Sequence, residues 1–487
     1  MRTVVIIGFA VAAAGCFSGR PLSGAYSCPT ATSPCPLDYV CVAQKCVAPN
    51  ADLGVGGGGG GGGGIAGGGG GGGTGIADVG QSCTTDGDCM TATCDTTSKT
   101  CELASGPPNW LPISNMVFAR LRPAVLLLAD HSIMAAGGGY VGNNFNTSVE
   151  VYLPASSKWQ DISGNTAAPF AQMFYANQSA VAAQFSTMGL NSVYVAGGAG
   201  NETTLQMYDT TTKTFDSVSN TTGEFIDQAG SVMLNDELYV FGGYKAANVV
   251  GGQSERYDPS TGWANLALLT TARRALAGVV GPDGTIYALG GHGDGTNDTT
   301  LDVAESYVTQ GNQWIKVPAA TLPQPREDLA ATTGPDGRIY VMGGLSGGAT
   351  LNSVVAYTPS RTHWTSVKAA MGTKRSGFGA VTGADGLIYA IGGADGSSTP
   401  LNSAEFYGPK IVIVSNAVQG SNFAATAAVT VYDGPIKTNI VVGTGTTGAD
   451  GTLLAGIPLS SLSSGAHVLT VMDNHSRYPV TTTYTAP

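Results

Sequence analysis

Charge is scarce in this chain. Only 11% of its 487 residues are Asp, Glu, Lys or Arg, and 33 acidic against 22 basic side chains give a net charge of −11. That is far below the roughly 25% usual for globular proteins. No basic stripe is available to neutralise phosphates, which excludes nucleic acid as a partner. Cysteine is missing from everything after Cys101, and histidine is nearly as rare, with the first at His131. No close Cys-x-x-Cys pair occurs, so the sequence speaks against a zinc site. No apolar run is long enough to span a bilayer. Gly, Ser, Thr, Ala and Asn fill the polar positions instead, and the 43% apolar content rules out global disorder. This composition favours an extracellular β-protein.

What is present is periodic. A short apolar strand closed by two glycines recurs six times, ending at Gly137-Gly138, Gly197-Gly198, Gly242-Gly243, Gly290-Gly291, Gly343-Gly344 and Gly392-Gly393. The first glycines step by 60, 45, 48, 53 and 49 residues. A period near fifty marks a repeat array. A tyrosine follows each pair: Tyr152, Tyr208, Tyr257, Tyr307, Tyr357 and Tyr407. Six or seven residues after the first five of these stands Trp159, Phe215, Trp263, Trp314 or Trp364.

This order of apolar strand, Gly-Gly, loop, Tyr and Trp resembles the kelch repeat. The resemblance covers residues 107–408 and implies an all-β fold, a six-bladed kelch β-propeller of four-stranded blades, with the glycines and rings in structural roles. The sixth repeat lacks its tryptophan after Tyr407, whereas Trp110 sits in a matching context far upstream. The strand around Trp110 is therefore expected to complete the sixth blade and close the ring, since an open ring leaves unpaired edges. Gly281-Pro282-Asp283-Gly284, Gly334-Pro335-Asp336-Gly337 and Gly383-Ala384-Asp385-Gly386 read as tight turns before the apolar strands.

Residues 1–15 have the charged start and short apolar stretch of an export signal peptide. Ala13-Ala14-Gly15-Cys16 resembles the bacterial lipobox, which implies lipidation of Cys16 and a tether over 16–27. Phe17, in place of a retaining Asp, implies by the same resemblance an outer-membrane or cell-surface lipoprotein. The other eight cysteines form two sets: Cys28, Cys35, Cys41 and Cys46 in a module over 28–48, and Cys83, Cys89, Cys94 and Cys101 in a second over 80–103. Such short polar segments need disulfide staples, in pairings the sequence leaves open. The stretch 49–79 between them, nearly pure glycine over Gly54–Gly75, reads as a flexible linker.

From 409 to 487 the repeat is absent. Short β-rich runs are expected at Ile411–Val414, Ala428–Tyr432, Asn439–Val442, Thr452–Ile457, His467–Met472 and Val480–Tyr484. They resemble an immunoglobulin-like β-sandwich, which reads as a spacer beside the propeller.

Seventeen residues before the first glycine of the pair stand Arg120, Arg273, Arg326 and Arg375. Converging at the channel mouth they would bind carboxylate or sulfate groups. The other reading is that each makes scaffold bonds. No catalytic residue, metal ligand or cofactor set is expected. Galactose oxidase shares the kelch fold, but its copper needs a Tyr–Cys crosslink, and this region has no cysteine. His131, His292 and His363 fall in different repeats. A sialic acid epimerase, also a six-bladed kelch protein, is the enzyme alternative on sugar acids. The sequence thus points to an envelope lipoprotein that binds a protein or glycan through Gly139–Thr147, Tyr244–Ser254 and His292–Asp302.

Overall fold

The computed structural model describes Val40–Val42, Lys45–Val47, Thr93–Asp95, Thr100–Glu102 and, with short interruptions, residues 108–487. The expected signal peptide, Cys16, its tether and the glycine-rich linker lie outside the described residues, as do the side chains of the other eight cysteines. The chain divides into two compact units, Met1–Gly73 and Thr74–Pro487. In the first, Val40–Val42 pairs antiparallel with Lys45–Val47, which sets Cys41 opposite Cys46 in register. In the second, Thr93–Asp95 pairs with Thr100–Glu102 and sets Cys94 opposite Cys101.

Six four-stranded antiparallel sheets follow. The first runs from the inner strand Ala124–Leu127 through Ile133–Ala136 and Val149–Leu153 to the outer strand Lys158–Asp161. The inner strands of the next four are Val181–Gln184, Gly230–Leu234, Ala277–Val280 and Ala330–Thr333. The sixth sheet comprises Gly379–Thr382, Ile388–Ile391, Ala404–Tyr407 and, as its outer strand, Trp110–Pro112. Each inner strand packs on the next, and Gly379–Thr382 packs back on Ala124–Leu127. This is the arrangement of a β-propeller.

The repeat residues explain the packing. Every tyrosine faces its aromatic partner across one strand pair, Tyr152 opposite Trp159 and Tyr407 opposite Trp110 among them. Ring centroids of the six pairs lie 5.0–5.5 Å apart. Such tilted pairs add about 0.5–1.5 kcal/mol beyond the area they bury. All twelve glycines of the pairs have positive φ. The last pair shows why a side chain does not fit. Gly393 donates its N–H to the Arg120 carbonyl at 2.7 Å, and a Cβ on Gly392 would stand 2.8 Å from that same oxygen. Glycine is thus the residue that lets the sixth sheet approach the first.

The tail forms two further sheets. Lys410–Val414, Ala417–Ser421 and Ile457–Pro458 make one, and Val441–Thr446, Ala428–Asp433, Gly465–Asp473 and Val480–Ala486 the other. The strand Ala417–Ser421 was not expected. Ser415 and Asn416 at φ 50° and 57° reverse the chain in two residues and create it. The expected strand Thr452–Ile457 shrinks to Ile457–Pro458. This tail is fixed to the turn end of the sixth sheet. The Tyr478 hydroxyl donates to Gly386 O at 2.8 Å, Thr481 donates to Asp385 O at 3.0 Å, and Asn422 Nδ2 donates to Asn109 O and Gly408 O.

Candidate functional site

The sequence directs attention to the four arginines, which sit four residues before their inner strands. All are buried, with exposures of 0%, 0%, 2% and 1% for Arg120, Arg273, Arg326 and Arg375. The first sheet shows where their donors go. Arg120 Nη1 donates to Gly137 O at 2.7 Å and Ser148 O at 2.8 Å, and Nη2 to Ser148 Oγ and to Glu150 Oε1 at 2.9 Å. Glu150 in turn accepts the backbone N–H groups of Val117 and Phe118. The sixth sheet repeats this with Arg375, Gly392, Ser403 and Glu405, which accepts from Gly372 and Thr373. In the fourth, Glu305 accepts from Thr270 and Thr271 and lies 3.2 Å from Arg273.

The fifth sheet departs from this pattern. Arg326 donates to Gly343 O, Ser353 O and Ser353 Oγ, but Val355 occupies the place of the glutamate. Burial pushes the Arg326 guanidinium down to about 10, with no carboxylate to offset it. Burial also lowers Arg120 and Arg375, although Glu150 and Glu405 pull back. Each of the four arginines also accepts a hydrogen bond at its backbone carbonyl from the second glycine of the preceding repeat, as Gly243 to Arg273 and Gly291 to Arg326 at 2.8 Å. In the third sheet Ile226 takes that place, accepting from Gly198. The expectation that the four arginines meet a ligand is therefore corrected. Their charge is spent inside the wall of their own sheets, and their backbone carbonyls join neighbouring sheets.

Two residues further along, the chain does present chemistry. Arg122, Ser179, Gln228, Ala275, Asp328 and Gly377 each stand two residues before an inner strand, and all have φ between 51° and 64°. Their backbones link in sequence. Ser179 donates to Arg122 O, Arg122 to Gly377 O, Gly377 to Asp328 O, Asp328 to Ala275 O and Ala275 to Gln228 O, at 2.7–2.9 Å. Only the sixth of these positions is glycine. The others hold a left-handed backbone at about 1–2 kcal/mol each. Strain of this kind concentrates at binding sites and switch regions.

Several side chains at or beside these positions are polar or charged. Arg122 reaches past the sixth sheet to Asp328 of the fifth, with Nε to Oδ1 at 2.8 Å and Nη2 to Oδ2 at 2.5 Å. Burial opposes the Arg122 charge, but Asp328, with Asp227 and Glu327 behind it, raises its pKa above the ordinary arginine value. Burial pushes the Asp227 carboxyl up to about 6 against the pull of Arg122, and its Oδ1 has no hydrogen-bond partner. Arg274 donates to Gln228 Oε1 at 3.0 Å and lies 5.5 Å from the Tyr244 ring centroid. His292 stands 2.7 Å from Glu327.

The expected recognition loops are more ordered than loops. Gly139–Tyr140 pairs with Asn144–Phe145, and Tyr244–Ala246 with Val249–Val250, as two-stranded ribbons. His292–Gly293 pairs with Arg273–Arg274. Among the described residues, no three His, Cys, Asp or Glu side chains are grouped to hold a metal ion.

Comparison with known proteins matches this frame. The kelch motif is recognised over residues 273–320 and 329–369, the fourth and fifth sheets. The chain carries kelch repeats. A human protein, Kelch-like protein 33, is 37% identical over 160 residues, 32% of this chain and 28% of that one. A mouse protein, Kelch-like protein 35, is 29% identical over 186 residues, 37% of this chain and 30% of that one. The chain thus spans less than a third of the length of these kelch relatives. Sequence reasoning missed Arg122, Asp227, Gln228, Arg274 and Asp328. The place two after the four arginines holds Arg122, Ala275, Asp328 and Gly377, so no shared residue type signals it.

Proposed function

We propose that this chain is an exported, lipid-anchored protein whose kelch repeats close into a six-bladed ring that binds a protein partner without catalysis. The outer strand Trp110–Pro112 serves as the clasp of that ring, and Cys16 as the anchor at the outer membrane or cell surface. The binding face is the end that carries Arg122, Asp227, Gln228, Arg274 and Asp328. One observation carries this reading: at that end Arg122 of the first sheet pairs with Asp328 of the fifth, and Asp227 and Glu327 act on the same guanidinium, so charge gathers there from several sheets. The opposite end holds the Gly-x-Asp-Gly turns and is partly occupied by the tail at Gly386 and Asp385. A charged surface on a packed β-scaffold suits recognition of a complementary partner.

Photo-crosslinking in the producing cells tests this. A crosslinking side chain at Gln228 is expected to capture a discrete partner, and one at the exposed turn residue Asp283 is not. Arg122→Glu should abolish the capture. Equal capture from both ends refutes the assignment of the face. Metabolic labelling with a fatty acid should mark the wild-type chain and leave Cys16→Ser unmarked.

A further inference from the structure

The strand proposed to clasp the ring has little to hold it from its own sheet. Trp110–Pro112 has three residues, against four or five in each of the other five outer strands. Pro112 brings no N–H. No tight turn ties the strand to its partner Ala404–Tyr407, which lies at the far end of the repeats. The pairing stops at Trp110 opposite Tyr407. From there the tail takes over. Asn109 donates its N–H to Asn422 Oδ1 at 3.0 Å, and Asn422 Nδ2 donates to Asn109 O and Gly408 O at 2.9 Å each. The Asn422 amide thus stands where a backbone peptide group would continue the sheet. Behind it the buried Tyr478 ring lies 5.3 Å from that of Tyr407, which in turn lies 5.5 Å from that of Trp110.

Beyond the strand the same segment runs to the mouth. Ile113 donates its N–H to Ala404 O, Met116 to Asn402 O, Arg120 to Leu401 O and Arg122 to Gly377 O, at 2.7–3.0 Å. Its far end is therefore the arginine that pairs with Asp328. We infer that the tail is a latch on this closing segment. Asn422 and Tyr478 hold residues 109–122 against the sixth sheet, and release of the tail frees the segment as far as the mouth. Segments with few bonds of their own open locally before the fold opens as a whole. The inference rests on the ring closure proposed above and gives the tail a conformational part in it, in place of a spacer.

Hydrogen exchange of the full chain, read by mass spectrometry, tests it. Asn422→Ala loses three hydrogen bonds at one end of the segment. It should speed exchange over 109–122 about ten-fold and leave Ile339–Met342 of the fifth sheet unchanged. Tyr478→Phe keeps the ring and loses only the bond to Gly386, so about three-fold is expected over the same residues. Ser461→Ala, which loses a bond to Val442 O inside the tail, should leave 109–122 as it was. Equal acceleration of every strand, or acceleration of 109–122 by Ser461→Ala to the same extent, overturns the inference. If 109–122 exchanges in the wild type as fast as unpaired backbone, the ring closure falls with it. If the segment is protected but indifferent to Asn422→Ala and Tyr478→Phe, the latch alone falls.

Discussion

Arg120 and Arg122 are two residues apart and have opposite fates. Arg120 is fully buried and spends its donors on Gly137, Ser148 and Glu150 of its own sheet. The Arg122 side chain is 25% exposed and crosses to Asp328 in the fifth sheet. The first belongs to the wall, where a charge is tolerated because carbonyls and a carboxylate surround it. The second belongs to the mouth, where water and a partner can compete for it. The difference teaches that residue type and period do not separate scaffold charge from site charge. The direction of the side chain does, and here it is set by the backbone: Arg122 is left-handed, at φ 52°, so the alternation of a regular strand does not carry over from Arg120.

The largest break in this comparison is Arg120→Met. It strands Glu150, which is wholly buried, and is expected to cost about 3–5 kcal/mol in chemical denaturation. Arg326→Met sharpens the contrast. No carboxylate is left behind in the fifth sheet, so the loss should be nearer 2 kcal/mol. A cost equal to that of Arg120→Met would show that the glutamates contribute little to the wall.

At the mouth the sign reverses. Asp227 has a pKa near 6 in the fold, above its ordinary 3.8, so the folded state holds its proton more tightly than the unfolded one. This group's share of stability is full below about pH 4 and is lost as pH rises to 6. Asp227→Asn should therefore raise stability at pH 7 by about 2 kcal/mol and leave it unchanged at pH 3.5. Denaturation at the two pH values checks this. The smallest effect belongs to Arg122→Met, expected at about 1 kcal/mol because the pair is partly solvated. Its main consequence should be loss of partner capture.

Much of the fold is legible in the residues. Glycine pairs, Tyr–Trp spacing and Asp-Gly turns are local demands, and the structure places each on the strand or turn that its chemistry requires. Tyr340 and Tyr389 even return hydrogen bonds to their turn aspartates, Asp336 and Asp385, at 2.7 Å. The site is less legible. The Arg period is strong, but it reports the packing of one sheet on the next. The mouth residues show no shared residue type, because what unites them is a backbone angle and a place two residues before a strand. The tail is partly legible: its strands alternate, yet Ala417–Ser421 depends on a two-residue reversal of weak composition.

The sequence alone determined the repeat, its length, and the identity of Trp110 as the missing aromatic, because those follow from the period of the chain and the size of a ring. Only the tertiary structure decided that Arg120, Arg273, Arg326 and Arg375 are internal and that Arg122 meets Asp328 across 206 positions of sequence. Such pairs are made by bringing distant sheets around a common axis, and no local property of either residue encodes its partner.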